Sequence, residues 1–377
     1  MTLIASFEYE GSPVFVGDLL ITRDGGVADT SMSTPLVHLP NTLIPGAGYS
    51  ISGMRQKLVL LHDHLCMAWA GSLIHASALA QHLRSFVAGK AQLDYQELRA
   101  LLEGYRDYGG ISLIIYSWHG NGTGWFSNVS AFDLEPLNKL RVSGTGAASF
   151  IQNIGMLQAG YQSQGASGYQ SVAMRAMGLA SLASAQQVFG GIAITERWGG
   201  GFELVTFDGQ RFQKEGRVLT VYWSFEEAPD GTFVARLLLP FLYQFYVGET
   251  ACFWVDEAKE AGRPSRWYQV TPPFPTPDVE FTKPQQFTAD WVINLSNIRG
   301  RAEAWVGAFV DFRKPGHEPG LQMINPDTSS TTVKISREFF QRFFSDLPAT
   351  VRVGAINLWG ATSKWPDQAN YEGQKVE

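Results

Sequence analysis

Hydrophobic and polar residues alternate over the first nine positions of the chain, which is the pattern of a half-buried β-strand. The two faces of this alternation are Leu3, Ala5, Phe7 and Tyr9 on one side and Thr2, Ile4, Ser6 and Glu8 on the other. A turn signal at residues 11–13 and an apolar run over residues 14–21 follow. The pattern predicts a β-hairpin whose register would bring Asp18 close to the start of the first strand.

From residue 24 to residue 209, the hydrophobic periodicity switches between the strand pattern and the helix pattern. Residues 24–53 are rich in Gly, Pro and Ser and predict a loop. Strands are predicted at 57–61 and 65–70, helices at 72–86 and 95–108, strands at 111–118, 124–132 and 140–144, helices at 147–161 and 169–188, and strands at 191–197 and 202–209. This order predicts an α+β fold with two sheets enclosed between helical layers.

The character of the sequence changes beyond about residue 215. Seven of the eleven Trp residues lie there, in short aromatic runs separated by turns and by a Pro-rich stretch. We predict a β-rich second domain, with one helix that follows Ser336 as its N-cap and a polar tail from Thr362. The predicted domains are residues 1–214 and residues 215–377.

Length and charge agree with this organisation. The chain has 377 residues, of which 45% are hydrophobic and 17% charged, so it can fill more than one core. Its formal net charge of -6 offers no basic field for a phosphate backbone. We therefore expect no nucleic-acid partner.

Two features bear on the cell compartment. Cys66 and Cys252 lie far apart in apolar surroundings, which fits a reducing compartment. The sequence shows neither a signal-peptide pattern nor an apolar run long enough to span a bilayer. We expect a cytoplasmic protein without a membrane partner.

A short polar cluster contains residue types that bind metals: His62, Asp63, His64 and Cys66. The cluster falls at a predicted turn between two strands, so a metal site is the weaker interpretation. The sequence predicts neither a metal nor another cofactor.

Thr2 is the first candidate for chemistry. A threonine hydroxyl becomes a nucleophile when a base takes its proton, and a threonine that begins a mature chain carries such a base in its own α-amine. A nearby lysine would lower the pKa of that amine by like-charge repulsion, and an aspartate would hold the lysine in place. Asp18 and Lys57 are the candidates for these roles. Their alternative interpretations are a polar strand residue and a solvated strand end.

These residues carry a resemblance to a known family. The chain from residue 2 to about residue 210 resembles the proteasome β-subunits and their bacterial two-ring relatives, which are N-terminal-nucleophile hydrolases. The residues that carry it are, in order, Thr2, Gly17-Asp18, Thr22, Lys57 and the turn at Gly71 that leads into a helix. Gly144-Thr145-Gly146 stands where the family has a Gly-Ser-Gly segment before its third helix.

The resemblance implies a four-layer αββα sandwich for residues 1–214, followed by a β-rich accessory domain. It also implies a threonine-type amide hydrolase, a peptidase, in which Thr2 attacks, Asp18 and Lys57 tune the amine, and the Gly71 amide holds the oxyanion. By the same resemblance, a peptide or amide substrate would be bound by Thr22, Trp69 and Thr145. Subunits of this family assemble, so the resemblance further implies a homo-oligomer such as a ring.

Two other functions stay open at the level of the sequence. If Met1 stays attached, the Thr2 nitrogen is a peptide amide without a basic lone pair, and the chain would be a catalytically inactive proteasome-like subunit with an assembly or binding role. The aromatic second domain would alternatively make the protein a binding module. Thr145 is open as well, because it is equally well placed to form the first turn of a helix.

Overall fold

The computed structural model describes much of the chain up to residue 311 and two short strands beyond it. The described residues are 2–24, 34–36, 49–105, 107–119, 123–135, 137–160, 169–185, 187, 197–227, 229, 233–256, 266–280, 291–299, 305–311, 332–335 and 355–358.

The first part of the chain contains twelve strands and four helices among these residues. In chain order they are β1 (Leu3–Tyr9), β2 (Ser12–Asp18), β3 (Leu20–Asp24), β4 (Tyr49–Met54), β5 (Leu58–His62), β6 (Leu65–Gly71), α1 (Leu73–Val87), α2 (Tyr95–Gly104), β7 (Ile111–Trp118), β8 (Thr123–Ser127), β9 (Phe132–Leu134), β10 (Leu137–Gly144), α3 (Ala147–Gly160), α4 (Tyr169–Ala185), β11 (Phe202–Phe207) and β12 (Phe212–Lys214).

The strands of this part form a six-stranded sheet, a four-stranded sheet and a two-stranded ribbon. Their orders are β12-β11-β2-β1-β10-β9, β5-β6-β7-β8 and β3-β4. The predicted first hairpin is present, with Ile4 opposite Gly17. It is closed by Glu10 and Gly11, whose φ angles of 50° and 78° suit a two-residue hairpin turn.

The described residues after 214 add eight strands: β13 (Val218–Glu227), β14 (Phe233–Val247), β15 (Thr250–Asp256), β16 (Arg266–Val270), β17 (Trp291–Arg299), β18 (Trp305–Asp311), β19 (Thr332–Ile335) and β20 (Ala355–Leu358). They form one sheet in the order β16-β15-β14-β13-β17-β18-β20, with β19 paired to β14. Where the structure describes this part, it is built of strands, as the aromatic runs predicted.

Buried apolar clusters hold the sheets and helices together. One face of the four-stranded sheet packs against α1 and α2, with Trp69 and Leu79 in the same cluster. Its other face meets the six-stranded sheet, where Phe15 packs near Tyr116 and Phe212. The site described below lies at the start of β1 in the six-stranded sheet and just before the start of β5 in the four-stranded sheet.

The predicted four-layer αββα sandwich is wrong. The structure is strand-rich, with twenty strands against four helices among the described residues, and it contains several antiparallel sheets. The physical reason is a shared core. Val218, Phe253 and Trp291 from the eight-stranded sheet belong to the same buried cluster as Leu3 and Phe150. The second part of the chain therefore completes this core.

The second predicted strand is present but ends earlier than expected, because the apolar run over residues 14–21 divides at Leu19 into β2 and β3. The amides of Leu19 and Leu20 both donate to the carbonyl oxygen of Gly199, at 3.1 and 3.0 Å. β2 belongs to the six-stranded sheet, whereas β3 pairs with β4, which begins inside the predicted loop at residues 24–53.

Other predictions fall outside the residues that the structure describes. These are residues 191–196 of the strand predicted at 191–197, the helix after Ser336 and the tail from Thr362. The domain boundary at residue 214 stays a prediction. Among the described residues, no helix is long and apolar enough to cross a membrane.

Candidate active site

The first hairpin brings Thr2 and Asp18 together. Because Ile4 pairs with Gly17, Asp18 at the end of β2 lies beside the residues that open β1. Its Oδ1 accepts one hydrogen bond from the Thr2 hydroxyl and another from Leu3 N, at 3.0 Å. Thr2 is 1% exposed and Asp18 is fully buried. A hydroxyl is thus held against a carboxylate away from bulk water.

Gly199 fixes the other side of this carboxylate. Its N–H donates to Asp18 Oδ2 at 2.8 Å, and its φ of 108° lies in the region that favours glycine. A Cβ at this position would also lie 2.3 Å from Oε1 of Gln187. Gly199 was not among the site residues predicted from the sequence. The signal that could have found it is the run of three glycines at residues 199–201.

Gly144 allows the chain to approach Thr2 from the neighbouring strand. It pairs with Leu3, and a Cβ at its position would lie 1.6 Å from the carbonyl oxygen of Thr2. Thr145 comes next in the chain, and its exposed hydroxyl donates to the carbonyl oxygen of Arg197 at 3.3 Å. Thr145 is therefore next to the strand pair that carries Thr2, and its role in substrate binding stays a prediction.

Lys57 is buried in the same region, with 1% of its surface exposed. The interpretation of Lys57 as a solvated strand end is therefore wrong. Its ammonium nitrogen lies 4.4 Å from the ring centroid of Trp69, and Trp69 N donates to the Lys57 carbonyl oxygen at 3.0 Å. Trp69 is fully buried and its indole N–H donates to the carbonyl oxygen of Gln56 at 3.0 Å. The indole thus supports Lys57, and the predicted place of Trp69 in a specificity pocket stays a prediction.

Burial shifts the pKa values of the two charged groups in opposite directions. Desolvation raises the pKa of Asp18 to about 6, although the charge of Lys57 and the hydrogen bonds to the carboxylate act against it. Desolvation lowers the pKa of Lys57 to about 8, with Asp18 and Glu203 acting against it. Each group consequently titrates within about one pH unit of neutrality.

The structure explains Gly71 by backbone packing. Gly71 ends β6 with a φ of 100°, and a Cβ there would lie 2.1 Å from the carbonyl oxygen of Gly110. The same oxygen accepts from Ser72 N at 2.9 Å. Thr22 lies on β3 opposite Ile51. The roles of Gly71 in an oxyanion hole and of Thr22 in substrate binding stay predictions.

Glu203 is a second residue of the site that was not predicted from the sequence. It is fully buried on β11, and its Oε2 accepts from Lys57 N at 2.7 Å and from Leu58 N at 3.3 Å. In the sequence, the only sign of this role is a glutamate within the apolar run of β11. A buried charge needs a partner, so a glutamate in such a run indicates a paired group.

The polar cluster at the turn between β5 and β6 uses its side chains for local contacts. His62 Nε2 lies 3.0 Å from the carbonyl oxygen of Lys90, and its Nδ1 accepts from His64 N at 3.1 Å. Cys66 is buried between the two sheets. Within the described residues, no group of three or more His, Cys, Asp or Glu side chains could hold a metal ion.

Comparison with models of protein families finds no matching family, and comparison with curated proteins finds no matching sequence. The chemistry of the site therefore has to follow from its own geometry. A hydroxyl donor and a carboxylate acceptor are hydrogen-bonded in a water-poor site at the start of a strand, and an ammonium group lies close enough to act electrostatically on the carboxylate. This set of groups can activate an alcohol for attack on a carbonyl.

Proposed function

We propose that this protein is a threonine-type N-terminal-nucleophile amide hydrolase that acts on peptides. The observation that carries the proposal is the hydrogen bond from the Thr2 hydroxyl to Asp18, in a buried site that also contains Lys57. Burying an ionisable pair lowers the stability of a fold unless ion pairing and hydrogen bonds offset the loss of hydration. Perturbed pKa values of this kind concentrate at functional sites.

The proposal requires a free α-amine on Thr2, and therefore cleavage of the peptide bond on its amino side. The neutral amine takes the hydroxyl proton while Oγ1 attacks the substrate carbonyl carbon, which gives a tetrahedral oxyanion. When the substrate amide bond breaks, the proton passes to the leaving amine and an ester on Thr2 remains. Water then hydrolyses this ester with the same amine as base, and the free hydroxyl is restored.

Asp18 and Lys57 have complementary roles in this mechanism. Because its pKa is about 8, Lys57 is mostly protonated at pH 7, and its positive charge lowers the pKa of the nearby Thr2 amine. Asp18, with a pKa of about 6, is mostly ionised at pH 7 and keeps the Thr2 hydroxyl in position. A larger fraction of the amine is then neutral and able to act as the base.

The resemblance to proteasome β-subunits supports the rest of the proposal. By that resemblance, the Gly71 N–H holds the oxyanion, and Thr22, Trp69 and Thr145 contact the peptide. A homo-oligomer such as a ring belongs to the same proposal. The free, buried cysteines Cys66 and Cys252 support a cytoplasmic location, which we also propose.

Peptide turnover by Thr2 variants tests this function. Intact-mass measurement first establishes whether the purified chain begins at Thr2. We expect Thr2→Ala to abolish hydrolysis of a fluorogenic peptide library and Thr2→Ser to retain part of it, because serine keeps the hydroxyl. Thr123→Ala on β8 is the control, since Thr123 is exposed and lies outside the site.

Equal turnover by the wild type and Thr2→Ala contradicts the proposal. Retention of residue 1, together with no turnover in any variant, favours instead the inactive proteasome-like subunit.

A further inference from the structure

Glu203 links the six-stranded sheet to the four-stranded sheet at Lys57, the residue that precedes β5. Its Oε2 accepts the backbone N–H groups of Lys57 and Leu58, although Glu203 itself belongs to the six-stranded sheet and β5 to the four-stranded sheet. The carboxylate therefore fixes the backbone from which the Lys57 side chain leaves. A charged acceptor makes such hydrogen bonds stronger than a neutral one would.

The other oxygen of Glu203 is held by groups from two further elements. Oε1 accepts from Lys214 Nζ at 2.6 Å and lies 3.5 Å from the hydroxyl of Tyr246, a residue of β14. The side chain of Lys214 is 12% exposed and that of Glu203 is fully buried. Removal of either member of such a pair leaves a buried charge uncompensated, so the pair acts as a unit.

Gln56 continues this network into the eight-stranded sheet. Its Oε1 accepts from Lys214 Nζ, and its Nε2 donates to the carbonyl oxygens of Glu249 and Val270, both at 2.6 Å. Its backbone N–H donates to the carbonyl oxygen of Thr271 at 3.0 Å. A continuous chain of hydrogen bonds thus runs from the end of β16 to the backbone of Lys57.

We propose that Glu203 is a positioning residue that holds Lys57 in the Thr2 site and, through Lys214 and Gln56, gives the eight-stranded sheet a part in that site. The proposal rests on the proposed function where it concerns turnover. The holding of Lys57 itself is independent of any activity. The proposal gives the residues after 214 a role in the site that Thr2 and Lys57 form.

The charges around Lys57 determine how this role can be measured. Asp18 and Glu203 raise the pKa of Lys57, Arg55 lowers it, and the Trp69 ring lies against the ammonium. Glu203→Gln removes one negative charge and keeps an amide oxygen that can accept a hydrogen bond. Because desolvation is then opposed by Asp18 alone, the pKa of Lys57 falls further below its ordinary value.

The test is an NMR pH titration of protein labelled with ¹³C at lysine Cε, in which the Lys57 signal is assigned by its loss in Lys57→Arg. We expect Glu203→Gln to lower the Lys57 midpoint by about one pH unit, the shift that one nearby charge produces in a buried group. Glu8→Gln is the matched control. Glu8 also binds a lysine, Lys139 at 3.0 Å, and is not among the charges that act on Lys57.

A second variant guards against loss of folding. The double change Glu203→Gln with Lys214→Met removes the buried pair together and leaves no uncompensated charge. Its Lys57 midpoint is also expected to lie below that of the wild type.

The outcomes separate this inference from the proposed function. A lowered midpoint in both Glu203 variants supports the inference even if the wild type hydrolyses no peptide. A midpoint unchanged from the wild type in both variants overturns it, whether or not turnover is observed. Where turnover is present, its decline at alkaline pH should move to lower pH in Glu203→Gln.

Discussion

At the scale of the residue, the Thr2 site depends on compensation for buried charge. Asp18 receives N–H groups from Leu3 and Gly199 and the hydroxyl of Thr2, while Lys57 supplies the opposite charge. The pKa values of about 6 and about 8 show that compensation is incomplete, since both remain displaced toward the neutral forms. The site is therefore sensitive to pH in the range where enzymes work.

This sensitivity predicts a bell-shaped dependence of turnover on pH. Below about pH 6 Asp18 gains a proton, and above about pH 8 Lys57 loses one, so either change removes a charge that the mechanism needs. We expect kcat/KM to be highest near pH 7 and to fall roughly tenfold per pH unit beyond each pKa. The measurement is a profile from pH 5 to pH 9.5. Turnover that stays constant up to pH 9.5 would remove protonated Lys57 from the mechanism.

The sequence allowed some of these residues to be predicted. The alternation of the first strand and the spacing to the turn indicated that Asp18 would reach the start of β1, and it does. Gly199 and Glu203 approach from positions far along the chain, and no periodicity encodes that approach. Their roles depend on the pairing of β11 with β2, which a single sequence does not determine.

At the scale of the element, the packing of strands depends on glycines, because their missing side chains allow close contact between neighbouring backbones. The helices were predictable because their apolar residues recur at helical spacing: Ala76, Leu79, Ala80, Leu83 and Val87 are the buried residues of α1. The division of the apolar run into β2 and β3 was not, because the carbonyl that causes it belongs to Gly199. At Gly144, the absence of a side chain lets β10 approach the backbone of Thr2 and Leu3 at the start of β1.

Gly144→Ala should separate β1 from β10. Its Cβ would overlap the carbonyl of Thr2 and its φ of 104° is unfavourable for alanine, so we expect a loss on the order of 3 kcal/mol or more in the free energy of unfolding. Gly11→Ala is the control, because a Cβ there has nothing within 4 Å and only its φ of 78° is unfavourable. That change should cost about 1 kcal/mol. Chemical denaturation measures both, and equal losses would contradict the packing argument.

At the scale of the whole molecule, the eight-stranded sheet shares a core with the first part of the chain. Trp291 is fully buried in that core, and its indole N–H donates to Glu215 Oε2 at 3.0 Å. Aromatic runs predicted the strands of this sheet, but composition does not show what a sheet packs against. This packing is why the predicted sandwich was wrong.

Trp291→Ala should therefore destabilise both parts of the chain together. Removing a buried Trp costs roughly 3–5 kcal/mol, and the shared core transmits that loss to β1 and β2. Hydrogen exchange by mass spectrometry should show faster exchange in β1 and β2 as well as in β13. If β1 and β2 keep wild-type protection while β13 loses it, the two parts are independent domains, as predicted from the sequence.

The central claim is that Thr2 acts as a nucleophile through its own free amine, and intact-mass spectrometry of the native protein tests it most directly. An epoxyketone peptide is the probe, because it requires both the hydroxyl and the α-amine of a terminal threonine to form its stable ring adduct. We predict a chain that begins at Thr2, gains the mass of one probe, and loses this reactivity in Thr2→Ala. A chain that retains residue 1 and takes up no probe would contradict the claim.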